Sequence, residues 1–111
     1  MSGTDLLGEF EQLVLLAVLQ NHAEAYALPI RRAIEEVTER AVSRGALYRT
    51  LDRLGAKGMV SWEFEDASEA RGGNPRKQFE VTAKGLSALQ RSRSVVEQLS
   101  AGLEDVLEVT R

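Results

Sequence analysis

Residues 42–60, VSRGALYRTLDRLGAKGMV, combine a helical leucine repeat with side chains that could contact nucleic acid. The repeat consists of Leu47, Leu51 and Leu54. Gly45 and Arg49 lie on the opposite face of the predicted helix. Glycine allows a helix to approach DNA closely, and arginine can reach base edges or phosphates. This pair therefore suits a helix whose first half enters the DNA major groove. The alternative is a solvated helix face with ordinary ion pairs, and this helix alone favours neither interpretation.

Other residues around the same helix could join such a contact. Ser43 and Arg44 stand at the positive end of the predicted helix dipole, which suits a phosphate, while Tyr48 and Arg53 flank the outer face. A second basic segment, ARGGNPRK, supplies Arg71, Asn74, Arg76 and Lys77. Taken alone, this segment is more typical of a mobile surface loop. If the fold places both basic segments on the same side of the molecule, however, a DNA-binding surface is favoured.

The charge distribution agrees with a basic surface in an acidic chain. The 111 residues carry a formal net charge of -3. From Arg40 to Gly58, however, there are five basic residues and one acidic residue. The segment from Ser94 to Arg111 contains four acidic residues and one basic residue. The overall acidity therefore does not exclude nucleic acid, since the acidic segment could face away from the basic one.

Composition and motifs argue against other classes of site. Cysteine is absent and His22 is the only histidine, so we predict no metal site, catalytic residue or cofactor. The RGGN segment lacks the context of a phosphate-binding loop. No export signal is visible, and no apolar run reaches the roughly 18 residues that cross a membrane. We therefore expect a soluble, cytoplasmic protein that does not bind membranes.

The elements that position these residues can be predicted from periodicity and capping signals. Apolar spacing predicts helices over residues 9–21 and 27–39, and a third helix that Ser43 caps and Gly58 ends. Alternation in VSWEFE and KQFEVT then predicts a β-hairpin. Because Trp62 follows this alternation, we interpret it as a packing residue of the core or hairpin rather than the wall of an effector pocket.

Thr82 is predicted to cap a last helix over residues 83–109. Its apolar stripe is Leu89, Val96, Leu99, Leu103 and Val106. The stripe is longer than the small core can cover, so we predict a homodimer, with Leu13 or Leu16 of the partner's first helix completing the interface. The alternative is that this helix folds back along the first helix of its own chain.

Three helices followed by a β-hairpin is the order of a winged helix-turn-helix. The segments LGEFEQLVLLAVL, AYALPIRRAIEE, SRGALYRTLDRLGAKGMV and RGGNPRKQFEVTAKG resemble the PadR family of transcriptional regulators, in the same order. The resemblance implies a DNA-binding domain over residues 1–82 and a dimerisation helix over 83–111, as in the short subfamily. It also implies a dimeric repressor that binds an inverted-repeat operator in double-stranded DNA and is released by a small-molecule effector.

The residues leave two alternatives to a DNA-binding regulator. A winged helix can serve as a protein-protein interaction module that does not bind DNA, although exposed Arg49 and Arg71 disfavour this. An enzyme is the more distant alternative, because no combination of nucleophile, base and cofactor loop is present. The sequence therefore predicts a mainly α protein with a β-hairpin, and DNA as its partner.

Overall fold

The computed structural model describes residues 6–65 and 75–108 and shows a mainly helical chain with one antiparallel hairpin. The elements are α1 (Glu9–Asn21), α2 (Ala27–Thr38), α3 (Arg44–Ala56), β1 (Val60–Glu65), β2 (Arg76–Val81), α4 (Ala83–Ser100) and α5 (Glu104–Glu108). A single 3-10 turn, His22–Glu24, links α1 to α2. This order confirms the predicted fold class, a winged helix followed by a C-terminal helix.

The first three helices form most of the core. Their fully buried large side chains are Val14, Leu15, Ile30, Leu47 and Leu54. Leu47 and Leu54 come from the leucine repeat, so α3 faces the core as predicted. The predicted start of α3 is also confirmed, since the Ser43 hydroxyl accepts the Ala46 N–H at 3.0 Å. α2 ends one residue earlier than predicted because Glu39 adopts a left-handed conformation, with φ 58°.

The hairpin follows α3 after a short turn. Gly58 has φ 76°, as predicted for a residue that ends this segment. The two strands pair from Val60 opposite Val81 to Glu65 opposite Arg76. Phe79 is buried, and its N–H donates to the Ala25 carbonyl at 2.9 Å. The hairpin is thus fixed beside the segment that enters α2.

The first half of α4 packs close to the rest of the chain. The Thr82 side chain accepts the Gly85 N–H at 3.0 Å, which confirms the predicted cap, and its hydroxyl donates to the Gly58 carbonyl at 2.7 Å. A Cβ atom at Gly85 would overlap the Met59 carbonyl, so only glycine fits here. Ser92 is buried and accepts the Leu7 N–H at 2.9 Å. These contacts hold residues 82–92 against the body.

The C-terminal helix is shorter than the apolar spacing predicts. α4 ends at Ser100 rather than at residue 109, and α5 follows after a turn in which Gly102 has φ 86°. The apolar residues continue at helical spacing across this turn, which explains the error. Every described residue after Ser100 is exposed. The described chain is accordingly elongated, with principal extents of 54 × 36 × 22 Å.

Candidate nucleic-acid interface

The first turn of α3 presents an exposed cationic surface. Ser43, Arg44 and Gly45 are all exposed, at the end where unpaired backbone N–H groups and the helix dipole favour an anion. The Arg44 guanidinium carbon lies 5.7 Å from the centroid of the Tyr48 ring, within cation-π range. Tyr48 is half-buried against the core. The Tyr48 ring therefore provides Arg44 with an aromatic contact one turn further along the helix.

Arg49 lies beside Gly45 on the outer face, as the helical spacing predicts. A Cβ atom placed on Gly45 would lie 3.3 Å from Arg49 Nη1, so the guanidinium extends back over the glycine. Arg49 is exposed, and no carboxylate of residues 6–65 or 75–108 forms an ion pair with it. This placement leaves the Arg49 donors accessible to an incoming anion or base edge.

Arg53 faces a carboxylate of its own chain. Its Nε donates to Glu11 Oε2 at 3.1 Å, and Lys57 Nζ donates to the same oxygen at 3.3 Å. The other oxygen of Glu11 accepts the Gly8 N–H at 2.9 Å. Arg53 is therefore engaged in joining α3 to α1, and its predicted contact with DNA stays a prediction.

The Glu11 carboxylate is the main residue that the sequence analysis missed in this region. Burial alone would raise the pKa of Glu11, but the hydrogen bond from Gly8 and the interactions with Arg53 and Lys57 together lower it below 4.5. Its only local signal is its place in the first turn of α1, where an acidic residue suits the helix dipole. The pairing with α3 depends on tertiary structure.

Arg76 and Lys77 are neighbours at the start of β2 and have different partners. Arg76 Nε donates to Glu65 Oε1 at 3.0 Å, and this hydrogen bond raises the pKa of the Arg76 guanidinium. Lys77 Nζ lies 4.1 Å from the centroid of the Trp62 ring. The two other predicted contacts of the loop, Arg71 and Asn74, lie outside the described residues.

Trp62 packs within the hairpin rather than in the core. It is 46% exposed, and its ring meets that of Phe64 edge to face, with centroids 5.1 Å apart. Phe64 is 58% exposed. The strand β1 was correctly predicted, but burial does not alternate along it, since only Val60 at its start is buried. Together with Lys77, the two rings form an exposed aromatic and cationic surface.

A cleft of about 490 Å³ lies between α3 and the hairpin. Its cationic lining residues are Arg32, Arg44, Arg76 and Lys77, and its aromatic ones are Tyr26, Tyr48 and Phe64. Four of these lining residues were predicted to contact DNA: Arg44, Tyr48, Arg76 and Lys77. They come from the two basic segments, which were expected to lie on one side of the fold. Arg32 of α2 was missed, although the RR pair of AYALPIRRAIEE is a visible signal. Such a cleft suits the sugar-phosphate backbone of a nucleic acid.

The residues predicted for a dimer interface fall into two groups. Leu89 is buried in the core of its own chain, and Leu13 and Leu16 are half-buried against that core. The exposed group consists of Val96, Leu99, Leu103 and Val106. Leu89 is therefore not available to a partner, because its own chain already covers it.

Two other kinds of site are absent from the described residues. No group of three or more histidine, aspartate or glutamate side chains among residues 6–65 and 75–108 could hold a metal ion. No helix in this part of the chain is long and apolar enough to cross a membrane.

Comparison with solved structures finds the same fold in PadR-like regulators. A PadR-like transcription factor from Bacteroides fragilis is 28% identical, with a TM-score of 0.69 over 87% of this chain and 88% of that one. A PadR-like transcriptional regulator from Bacillus cereus is 21% identical, with a TM-score of 0.70 over 88% and 90%. The complex structure of hsRosR-SG is 25% identical, with a TM-score of 0.67 over 99% and 93%.

A search of curated proteins found no match. The sequence profile of the transcriptional regulator PadR-like family, in contrast, matches residues 15–91. This match spans α2, α3, both strands of the hairpin and the packed half of α4. It therefore covers most of the chain and the whole cleft between α3 and the hairpin. The chain belongs to the PadR-like family of transcriptional regulators.

Proposed function

We propose that this regulator binds double-stranded DNA sequence-specifically, with α3 in the major groove and the hairpin on the flanking backbone. The observation that carries the proposal is the shared cleft, in which Arg44 and Tyr48 of α3 face Lys77 of β2. A helix that carries cations at its N-terminus fits a major groove, while cations on a neighbouring strand fit phosphates. We propose that this binding takes place in the cytoplasm.

The pairing of the cations separates those available to DNA from those engaged elsewhere. Within the described residues, Arg44, Arg49 and Lys77 form no ion pair, whereas Arg53 and Arg76 each face a carboxylate. We assign base contact to Arg49, because it stands beside Gly45 where the helix can approach closest to the groove. Arg44 and Lys77 are assigned to phosphates, since they lie at the helix N-terminus and on the hairpin.

A homodimer is the form that we propose binds the operator. Val96 is 60% exposed, Leu99 77% and Val106 65%, so the second half of α4 and α5 present apolar surface. A stripe of this kind in a soluble regulator is best covered by a second copy, with the half-buried Leu13 and Leu16 of α1 at its edge. Two copies of α3 would then lie about 34 Å apart on an inverted repeat.

The regulatory outcome that we propose is repression. A dimer that covers an operator of about two helical turns excludes other proteins from that DNA. We also propose that a small-molecule effector releases the regulator from its operator. Such an effector would be identified by its ability to weaken the operator complex.

Titration of random duplex DNA at increasing salt tests DNA binding without knowledge of the operator. Lys77→Ala removes a charge from the cleft, and Arg93→Ala removes one from the exposed surface of α4. We expect the logarithm of the affinity to fall linearly with the logarithm of salt concentration, with a slope about 1 smaller for Lys77→Ala alone. Affinity that is weak and insensitive to salt would contradict the proposal and favour a protein-protein interaction module.

A further inference from the structure

Three side chains from distant parts of the chain meet at the outer end of the paired strands. The Tyr26 hydroxyl donates to Glu65 Oε2 at 2.7 Å, and Arg76 Nε donates to Glu65 Oε1 at 3.0 Å. The Arg76 guanidinium carbon also lies 3.5 Å from the centroid of the Tyr26 ring. Glu65 therefore holds Tyr26 and Arg76 at the same time, and we call these three residues the outer hairpin cluster.

The cluster joins the hairpin to the start of α2. Glu65 and Arg76 form the outermost strand pair, whereas Tyr26 is the residue directly before α2. Closer to the core, the Phe79 N–H donates to the Ala25 carbonyl, which fixes the inner end of β2. A two-stranded hairpin has little stability of its own, so contacts with neighbouring elements determine where its outer end lies.

We propose that the outer hairpin cluster fixes the position of the outer ends of β1 and β2 relative to α2, and thereby places Lys77 against DNA outside the segment that α3 contacts. This inference rests on the proposed DNA-binding function. Tyr26 and Glu65 act as positioning residues, through Arg76 and the strand pair, rather than as DNA contacts. The Tyr26 side chain suits this role because it is only 7% exposed and its residue directly precedes α2.

The cluster is better explained by positioning than by stability. The Arg76 and Glu65 side chains are 42% and 36% exposed, and ion pairs of this exposure contribute little to the free energy of unfolding. A purely electrostatic role also predicts the opposite sign. Removing the Glu65 charge would strengthen binding by reducing phosphate repulsion, whereas removing a positioning contact weakens the binding of flanking DNA.

Two operator duplexes separate hairpin placement from recognition by α3. The short duplex ends at the outer base pairs of the inverted repeat, and the long duplex carries its natural flanks. The measured quantity is the ratio of the two dissociation constants, which reports the contribution of the flanks. The variants are Tyr26→Phe, which removes only the hydroxyl, and Glu65→Gln, which removes the charge. Glu63→Gln is the matched control, because Glu63 is exposed two positions earlier on the same face of β1.

We expect Tyr26→Phe and Glu65→Gln to reduce the flank contribution by roughly three- to tenfold, the effect of about one hydrogen bond. Affinity for the short duplex and the melting temperature should stay close to those of the wild type. Glu63→Gln should keep the full flank contribution. An unchanged ratio for Tyr26→Phe, or equal strengthening by Glu65→Gln and Glu63→Gln, would overturn the positioning role. Failure of the wild type to bind either duplex would instead overturn the proposed function.

Discussion

Arg53 of α3 and Glu11 of α1 are joined by a hydrogen-bonded ion pair, in which Arg53 Nε lies 3.1 Å from Glu11 Oε2. The same carboxylate caps α1 by accepting the Gly8 N–H and also receives Lys57. One side chain thus fixes the start of α1 and the second half of α3. Since α3 is the proposed recognition helix, this pair holds it in place without occupying Arg44 or Arg49.

Glu11→Gln should lower the free energy of unfolding at neutral pH by about 1–2 kcal/mol, because a buried charge-assisted hydrogen bond is replaced by a neutral one. The pKa of Glu11 in the folded chain lies below its ordinary value of 4.5. Its ion pairs therefore stabilise the fold above pH 4.5, and this stabilisation disappears as the pH falls through the folded-state pKa. Urea unfolding across acid and neutral pH measures the difference.

The control for this prediction is Glu9→Gln, which removes an exposed carboxylate from the same first turn of α1. It should change stability by at most about 0.5 kcal/mol. Equal losses of stability in both variants would mean that the helix dipole causes the effect. They would contradict a stabilising link between Glu11 and α3.

Arg49→Ala should weaken binding to the operator by about 1–3 kcal/mol and relax the preference at one base pair, because a base-contacting donor pair is lost. Titrations with the operator and with duplexes that carry single substitutions measure this preference. Equal losses on all duplexes would show that Arg49 contacts the backbone instead.

Lys77→Ala should weaken binding to specific and random duplexes by similar factors, since a phosphate contact carries no sequence information. Arg93→Ala, which removes a charge from α4, provides the comparison. A loss confined to the operator would contradict the assignment of Lys77 to phosphate.

Gly45→Leu should fold as well as the wild type but fail to bind the operator. The new Cβ would meet only the flexible end of Arg49 at 3.3 Å, and leucine favours a helix by up to about 1 kcal/mol over glycine. The larger side chain would separate α3 from the groove. Thermal melts and operator titration test both parts, and unchanged affinity would remove the steric argument.

Leu99→Glu combined with Leu103→Glu should produce monomers, because two charges would be buried in the proposed subunit interface without partners. Ser87→Glu combined with Gln90→Glu adds the same charge to exposed positions of α4 outside this stripe. Sedimentation equilibrium at micromolar concentration measures the oligomeric state. A monomeric wild type, or a double variant at positions 99 and 103 that remains dimeric, would contradict the dimer proposal.

Local signals predicted most of the fold. The leucine repeat identified α3, and the Ser43 and Thr82 caps located the starts of two helices, because each signal depends on neighbouring residues. The end of α4 was missed because Leu99 and Leu103 keep the helical spacing across the turn. Spacing describes which residues share a face, and it does not report where the backbone leaves the helix.

The site was predicted less completely than the fold. Arg44, Tyr48 and Lys77 were identified by residue type and meet in one cleft. The partners of Arg53 and Arg76 were not identified, since Glu11 and Glu65 approach them only after folding. Leu89 and Leu99 likewise share one apolar pattern, yet one is buried in its own chain and the other is 77% exposed. Such differences arise from long-range packing.

The most direct test of the account is selection of bound fragments from genomic DNA with the purified protein, followed by sequencing. We predict enrichment of an inverted repeat whose half-sites are centred about 34 Å apart, one turn of DNA, as two copies of α3 require. Selection with Arg49→Ala should lose preference at one position of each half-site. Fragments without a common sequence, or a single unrepeated site bound by a monomer, would contradict a dimeric sequence-specific regulator.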